Sequence, residues 1–137
     1  MNGKMKIQKY PIEQVVYVPS TSRKQKHISP SAMRSRTKKV EKFLSQKYGG
    51  YTAITGTGGY TRGEGRQKGK LVTEGVTKVT GFTTKSKYKK LKPILNKQLL
   101  DWGKTWGQES MGLEVEGDLF YIKNGKKKLK VRRKRRK

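Results

Sequence analysis

Apolar positions along this chain alternate between short strand-like runs and stripes at helical spacing. Val15-Val16-Tyr17-Val18 is a run of strand formers stopped by Pro19, and it predicts a first β-strand. A polar loop follows, after which Ser29-Pro30 supplies a helix cap with proline at the first helical position. Met33, Val40, Phe43, Leu44 and Tyr48 then recur at helical spacing, with Arg34, Lys38, Lys39 and Lys42 on the other side. A helix is therefore predicted over residues 30–48, closed by Gly49-Gly50. Residues 51–55 and 71–82, rich in Thr, Val and Ile, read as the second and third strands. Tyr88, Leu91, Leu95, Leu99, Trp102 and Trp106 mark a second helix. Pro93 inside that stripe predicts either a kink or a start near Lys92, with residues 86–91 as a separate turn. Residues 111–122 read as one final strand, in which Met111, Leu113 and Val115 alternate with Gly112, Glu114 and Glu116.

The order strand, helix, strand, strand, helix, strand predicts an α+β domain over residues 15–122. Its expected form is ferredoxin-like, βαββαβ, a four-stranded antiparallel sheet with two helices on one face and the other face open. Tyr17 and Phe82 can lie on that open face. Residues 76–82 lack the aromatic-rich pattern of base-stacking domains, so the pattern leaves open whether the face takes bases or protein.

Charge adds two extensions to this picture. Residues 1–14 form a basic extended arm. Residues 123–137 form a tail in which Lys126, Lys127, Lys128, Lys130, Arg132, Arg133, Lys134, Arg135, Arg136 and Lys137 are all cationic. The whole chain of 137 residues has 35 Lys plus Arg against 9 Asp plus Glu, a formal charge of +26. Residues 1–122 alone keep a net +15, so the basic character extends into the folded part. Such a charge opposes compaction and favours a polyanionic partner. No apolar run approaches the ~18 residues of a spanning helix, and the first ten residues lack the apolar core of a secretory signal. An intracellular protein without membrane partners is expected.

Chemistry-bearing residues are sparse. Cysteine is absent, which removes disulfides and thiolate metal sites, and the single histidine, His27, lies among Arg23, Lys24 and Lys26 in a polar loop. Residues 56–70 carry six glycines. A dinucleotide-binding loop must lead into a helix, whereas here a strand follows, so the stretch reads as a mobile hairpin connection. In it, Tyr60 is placed to stack and Arg62, Arg66, Lys68 and Lys70 to reach phosphates. Lys87, Lys89 and Lys90 add cations at the start of the second helix. Glu109, Glu114, Glu116 and Asp118 gather four acids within ten residues. Glu114 and Glu116 share a strand face, a geometry compatible with a magnesium-dependent nuclease, although a solvated face opposite Leu113 and Val115 explains them as well.

The segments Tyr48-Gly49-Gly50-Tyr51-Thr52, Leu71-Val72-Thr73-Glu74 and Trp106-Gly107-Gln108-Glu109-Ser110-Met111 resemble an uncharacterised group of small ferredoxin-like proteins. The resemblance covers about residues 15–122. It implies the fold and carries no function.

The expectation from sequence is a non-enzymatic nucleic-acid-binding structural protein of a larger nucleoprotein or ribonucleoprotein assembly. It would need no cofactor and take no small-molecule substrate, and it would contact RNA or DNA phosphates through its arms and basic hairpin alongside other proteins of the assembly. A virion or assembly protein held mainly by protein contacts, with its tail facing an enclosed genome, and a metal-dependent nuclease are the alternatives.

Overall fold

The computed structural model describes residues 12–23, 26–61, 63, 66 and 68–123, with the backbone alone at Tyr60 and Val72. Most of the expected N-terminal arm, Arg62 and all ten cations of the expected tail from Lys126 to Lys137 lie outside the described residues.

The elements are β1 (Ile12–Val18), α1 (Pro30–Tyr48), β2 (Thr52–Thr61), β3 (Leu71–Thr83), α2 (Lys85–Thr105), β4 (Met111–Val115) and β5 (Asp118–Ile122). The five strands form one sheet in the order β2-β3-β1-β4-β5, with every described pairing antiparallel. The fold is α+β. The expected four-stranded ferredoxin-like sheet is corrected, because residues 111–122 are two strands and not one. Glu116 and Gly117, with φ of 52° and 87°, make the reversal. Two successive residues in the left-handed region give the turn whose twist suits an antiparallel hairpin. Glu116 tolerates that backbone because β1 holds it. Its N–H donates to the Glu13 carbonyl at 3.0 Å, and its carboxylate accepts the Glu13 N–H at 2.7 Å.

Helix α1 begins where Ser29 Oγ accepts the Ala32 N–H at 3.1 Å and ends at Gly49, φ 90°. Helix α2 runs unbroken through Pro93, so of the two alternatives at that proline the late start near Lys92 is ruled out and residues 86–91 belong to the helix. Thr84 Oγ1 accepts the Lys87 N–H at 3.3 Å, and Leu91 and Leu95 bury the same stripe on either side of the proline. Burial of that stripe outweighs the single backbone hydrogen bond that proline removes.

Strand β2 also runs further than expected. It takes in Gly56, Gly58 and Gly59, which pair with Val76, Glu74 and Thr73 of β3, so the first six residues of the stretch read as a flexible connection are sheet. The close approach of β3 explains part of its composition, since a Cβ on Gly58 would lie 2.7 Å from a Val76 methyl carbon.

The core lies between one sheet face and the two helices. Val16, Val18, Val79, Met111 and Leu113 pack with Val40, Leu44, Leu95, Leu99, Trp102 and Trp106. Among the described residues no helix is long and apolar enough to cross a membrane.

Candidate functional site on the open sheet face

Side chains alternate across each strand, so the residues between the core positions emerge on the opposite, helix-free face. These are Glu13, Val15 and Tyr17 of β1, Lys78 and Phe82 of β3, Gly112 and Glu114 of β4, and Leu119 and Tyr121 of β5. Register brings three of them together. Tyr17 is directly opposite Lys78, and Glu114 is opposite Val15, one step diagonal from Tyr17. The Tyr17 hydroxyl donates to Glu114 Oε2, 97 positions away in sequence. Lys78 Nζ stands 3.8 Å from the same carboxylate oxygen and 5.2 Å from the Tyr17 ring centroid. The ring lies over the Gly112 backbone, where a Cβ would touch it at 3.4 Å.

The electrostatics are consistent with a fixed carboxylate. Burial, and then the hydrogen bond to Glu114, raises the Tyr17 phenol above its ordinary value of 10.0, against an opposing pull from Lys78. The Lys78 ammonium is also held above its ordinary value, first by contact with the Tyr17 hydroxyl and then by the charges of Tyr17 and Glu114. Near neutral pH the cluster is thus a neutral phenol and a cation converging on one carboxylate. Glu114 keeps 22% of its side-chain surface in solvent, enough to meet a ligand. Ile54, Phe82, Leu119 and Tyr121 are all exposed on the same face and frame the cluster with apolar surface.

The structure places the residues expected from sequence elsewhere. Arg34, Lys38, Lys39 and Lys42 are exposed on α1 and Lys87, Lys89 and Lys90 are exposed on α2, on the helix side of the sheet. Arg66, Lys68 and Lys70 are exposed in the β2–β3 connection, and Tyr60 belongs to β2, paired with Val72. Glu114 and Glu116 occupy different surroundings, the first under Tyr17 and the second bound to the β1 backbone. Among the described residues no group of three or more His, Asp or Glu is placed to hold a metal ion. Sequence reasoning put Tyr17 on the open face and noticed Glu114, but missed Lys78. The only signal was a lysine at the centre of an otherwise Val- and Thr-rich strand.

No family model and no curated protein matches the chain. Among solved structures the likeness is to an enzyme. A phage SAM lyase in complex with S-methyl-5'-thioadenosine aligns with a TM-score of 0.55 at 17% identity, covering 88% of this chain and 95% of its own. A phage SAM lyase in its apo state aligns with a TM-score of 0.53 at 16% identity, covering 89% and 97%. The fold is similar to that of a phage SAM lyase. At this identity the likeness concerns the fold.

The expectation of a non-enzymatic nucleic-acid-binding protein with no small-molecule substrate is corrected accordingly. The solved structures that share this fold over nearly their whole length are an enzyme, and one holds a small molecule. The physical reason for the error is that net charge governs solubility and long-range association, whereas a site is made by a few residues that register brings together. A +26 chain places two carboxylates, Glu13 and Glu114, on the open face of one sheet.

Proposed function

We propose that this chain is an enzyme of small-molecule chemistry, a lyase that breaks a carbon–sulfur bond of an S-adenosyl sulfonium compound on the open sheet face around Tyr17, Lys78 and Glu114. The observation that carries the proposal is the Glu114 carboxylate, held by the Tyr17 hydroxyl and Lys78 at the centre of a sheet whose fold is similar to that of a SAM lyase.

A sulfonium is a cation and needs a carboxylate in a protein whose field is otherwise repulsive to it. Glu114 supplies that charge. Tyr17 and Lys78 fix its orientation before the ligand arrives, so little reorganisation accompanies binding. When the carbon–sulfur bond breaks, its electron pair stays on sulfur and the product leaves as a neutral thioether. Departure therefore requires no proton donor, and in S-adenosylmethionine the substrate's own carboxylate oxygen forms the new bond to the γ-carbon as that carbon's bond to sulfur breaks, closing a lactone without water. The positive charge on sulfur disappears as this happens, so product is held less tightly by Glu114 than substrate is. The exposed apolar side chains Ile54, Phe82, Leu119 and Tyr121 provide surface for a flat purine beside the charge.

The test is incubation of the full chain with S-adenosylmethionine, followed by chromatography for S-methyl-5'-thioadenosine. Time-dependent release that Glu114→Gln suppresses supports the proposal. No release, together with no calorimetric binding of either compound, overturns it.

A further inference from the structure

A second feature lies on the helix side of the sheet, away from the Tyr17 cluster. Arg36 of α1 is a buried cation, 8% exposed, and it belongs to neither of the described ion pairs, Lys78–Glu114 and Lys97–Asp101. Its Nη1 donates to the Pro19 and Thr21 carbonyls, both at 2.8 Å, and its guanidinium carbon stands 5.2 Å from the Trp106 ring centroid. Burying a guanidinium costs several kcal/mol unless it is compensated, and two carbonyl dipoles with one aromatic face carry no net negative charge. Consistent with that, burial pulls its proton affinity below the ordinary value.

The surroundings are closely packed and hydrogen-bonded. Trp106 stacks on Trp102 with centroids 5.5 Å apart and planes 5° from parallel, and Trp102 meets Phe43 edge-on. Gln108 Nε2 ties the loop after β1 to the end of α2 by donating to the Thr21 carbonyl at 2.7 Å and the Trp106 carbonyl at 3.0 Å. Between these walls is a shallow cavity of about 340 Å³, lined by Ser22, Arg23, Arg36, Thr105, Trp106 and Gly107. Two of the six lining residues are cations and none is acidic. Both described hydrogen bonds of Arg36 leave from Nη1, and the side chain lines the cavity, so its Nε and Nη2 are the donors that a ligand there would meet.

We propose that this cavity is a phosphate site, in which Arg36 and Arg23 take the oxygens of a phosphate group and the Thr105 hydroxyl donates to a third. A dianion matches two guanidinium groups, whereas a carboxylate leaves one of them uncompensated. The proposal is independent of the lyase reading, since it concerns different residues on the other side of the sheet.

The chain has two tryptophans, and both stand in or behind this wall, so intrinsic fluorescence reports the site locally. Titration of the full chain with inorganic phosphate at constant ionic strength is expected to give a saturable change in emission. Arg23→Gln, a change at an exposed position, is expected to weaken it about tenfold, the loss of one hydrogen bond to a charged group. Arg36→Lys keeps the charge but loses the fork, and is expected to weaken it at least as much, with near-ultraviolet circular dichroism confirming the fold. An adenosine 5'-monophosphate arm separates the sources: tighter binding than inorganic phosphate assigns an ester, weaker binding assigns the free ion. A change in emission that chloride reproduces at equal ionic strength, or an unchanged midpoint in Arg23→Gln, overturns the proposal.

Discussion

The two faces of the sheet are made from alternate residues of the same strands, yet they obey different rules. On the helix side Val16, Val79, Met111 and Leu113 meet Leu95 and Leu99, nearly every position is sealed, and the contacts are apolar. On the open side the equivalent positions one residue along are Tyr17, Lys78 and Glu114, joined by polar contacts and framed by exposed Phe82, Leu119 and Tyr121. A one-residue step along a strand separates what stabilises the fold from what is available for chemistry. Substitutions on the first face should therefore appear in stability and those on the second in ligand handling.

The largest effect tests the closed face. Leu99 is fully buried, and Leu99→Ala removes its packing and leaves a cavity. It is expected to destabilise by about 2–5 kcal/mol, measured by urea denaturation. A loss below about 1 kcal/mol would mean that the helix layer is not the source of stability. The matching change on the open face is Glu114→Gln, which preserves shape and removes charge. It is expected to lower S-methyl-5'-thioadenosine release about a hundredfold, in the range seen when one preorganised electrostatic contact is lost, with a far smaller change in the denaturation midpoint. Equal losses of stability and activity would erase the distinction between the faces.

The polar exceptions inside the closed face sharpen the comparison. Gln14 is wholly buried with both amide atoms unpartnered, and Tyr48, packed over Gly81, has a buried hydroxyl with no partner. Burial, with a smaller contribution from Tyr88, pushes the Tyr48 phenol well above its ordinary value, and burial raises Tyr88 as well. For a group whose folded-state value is raised, the folded chain holds more protons than the unfolded one once pH passes the unfolded value. Stability from these tyrosines is therefore fully present below about pH 10 and lost above it. Tyr48→Phe is expected to flatten that alkaline decline. At neutral pH it should change stability by no more than about 1 kcal/mol, toward greater stability, because an unpaired buried hydroxyl is removed. Denaturation curves across alkaline pH check both.

How much of this was legible depended on whether the signal was local. The bounds of α1 were readable because Ser29-Pro30 and Gly49 punctuate it within a few residues. The final hairpin was not, because Glu116-Gly117 lacks the Asn or Asp that announces such a turn, and Glu116 is held there by β1 from 103 positions away. The extent of β2 was hidden for a related reason: glycines have no strand preference of their own, and pairing with β3 imposes it. The same limit applied to the site. Tyr17 and Glu114 were each visible as an open-face aromatic and a strand acid, but their junction with Lys78 exists only through the register of three strands. The abundant lysines and arginines, by contrast, are legible anywhere and specify nothing about where they meet.

The smallest expected effect is at Lys78, and it separates charge from packing on the open face. Its side chain is 47% exposed and its ammonium 3.8 Å from Glu114, the kind of pair that contributes about 0–1 kcal/mol. Lys78→Gln should hardly move the denaturation midpoint. It should, however, change the Tyr17 phenol, because Lys78 is the group that pulls that phenol down against burial and Glu114. With the cation gone, the phenolate loses its stabilising neighbour and Tyr17 should titrate at still higher pH, observable by nuclear magnetic resonance of isotope-labelled tyrosine. Glu114 would then keep its hydrogen bond from Tyr17 but carry a less compensated charge, so a cationic sulfonium should bind more tightly and neutral S-methyl-5'-thioadenosine no better. Tighter binding of both compounds would mean that Lys78 acts by occupying space. Weaker binding of the sulfonium would mean that it acts chiefly by holding Glu114 in position.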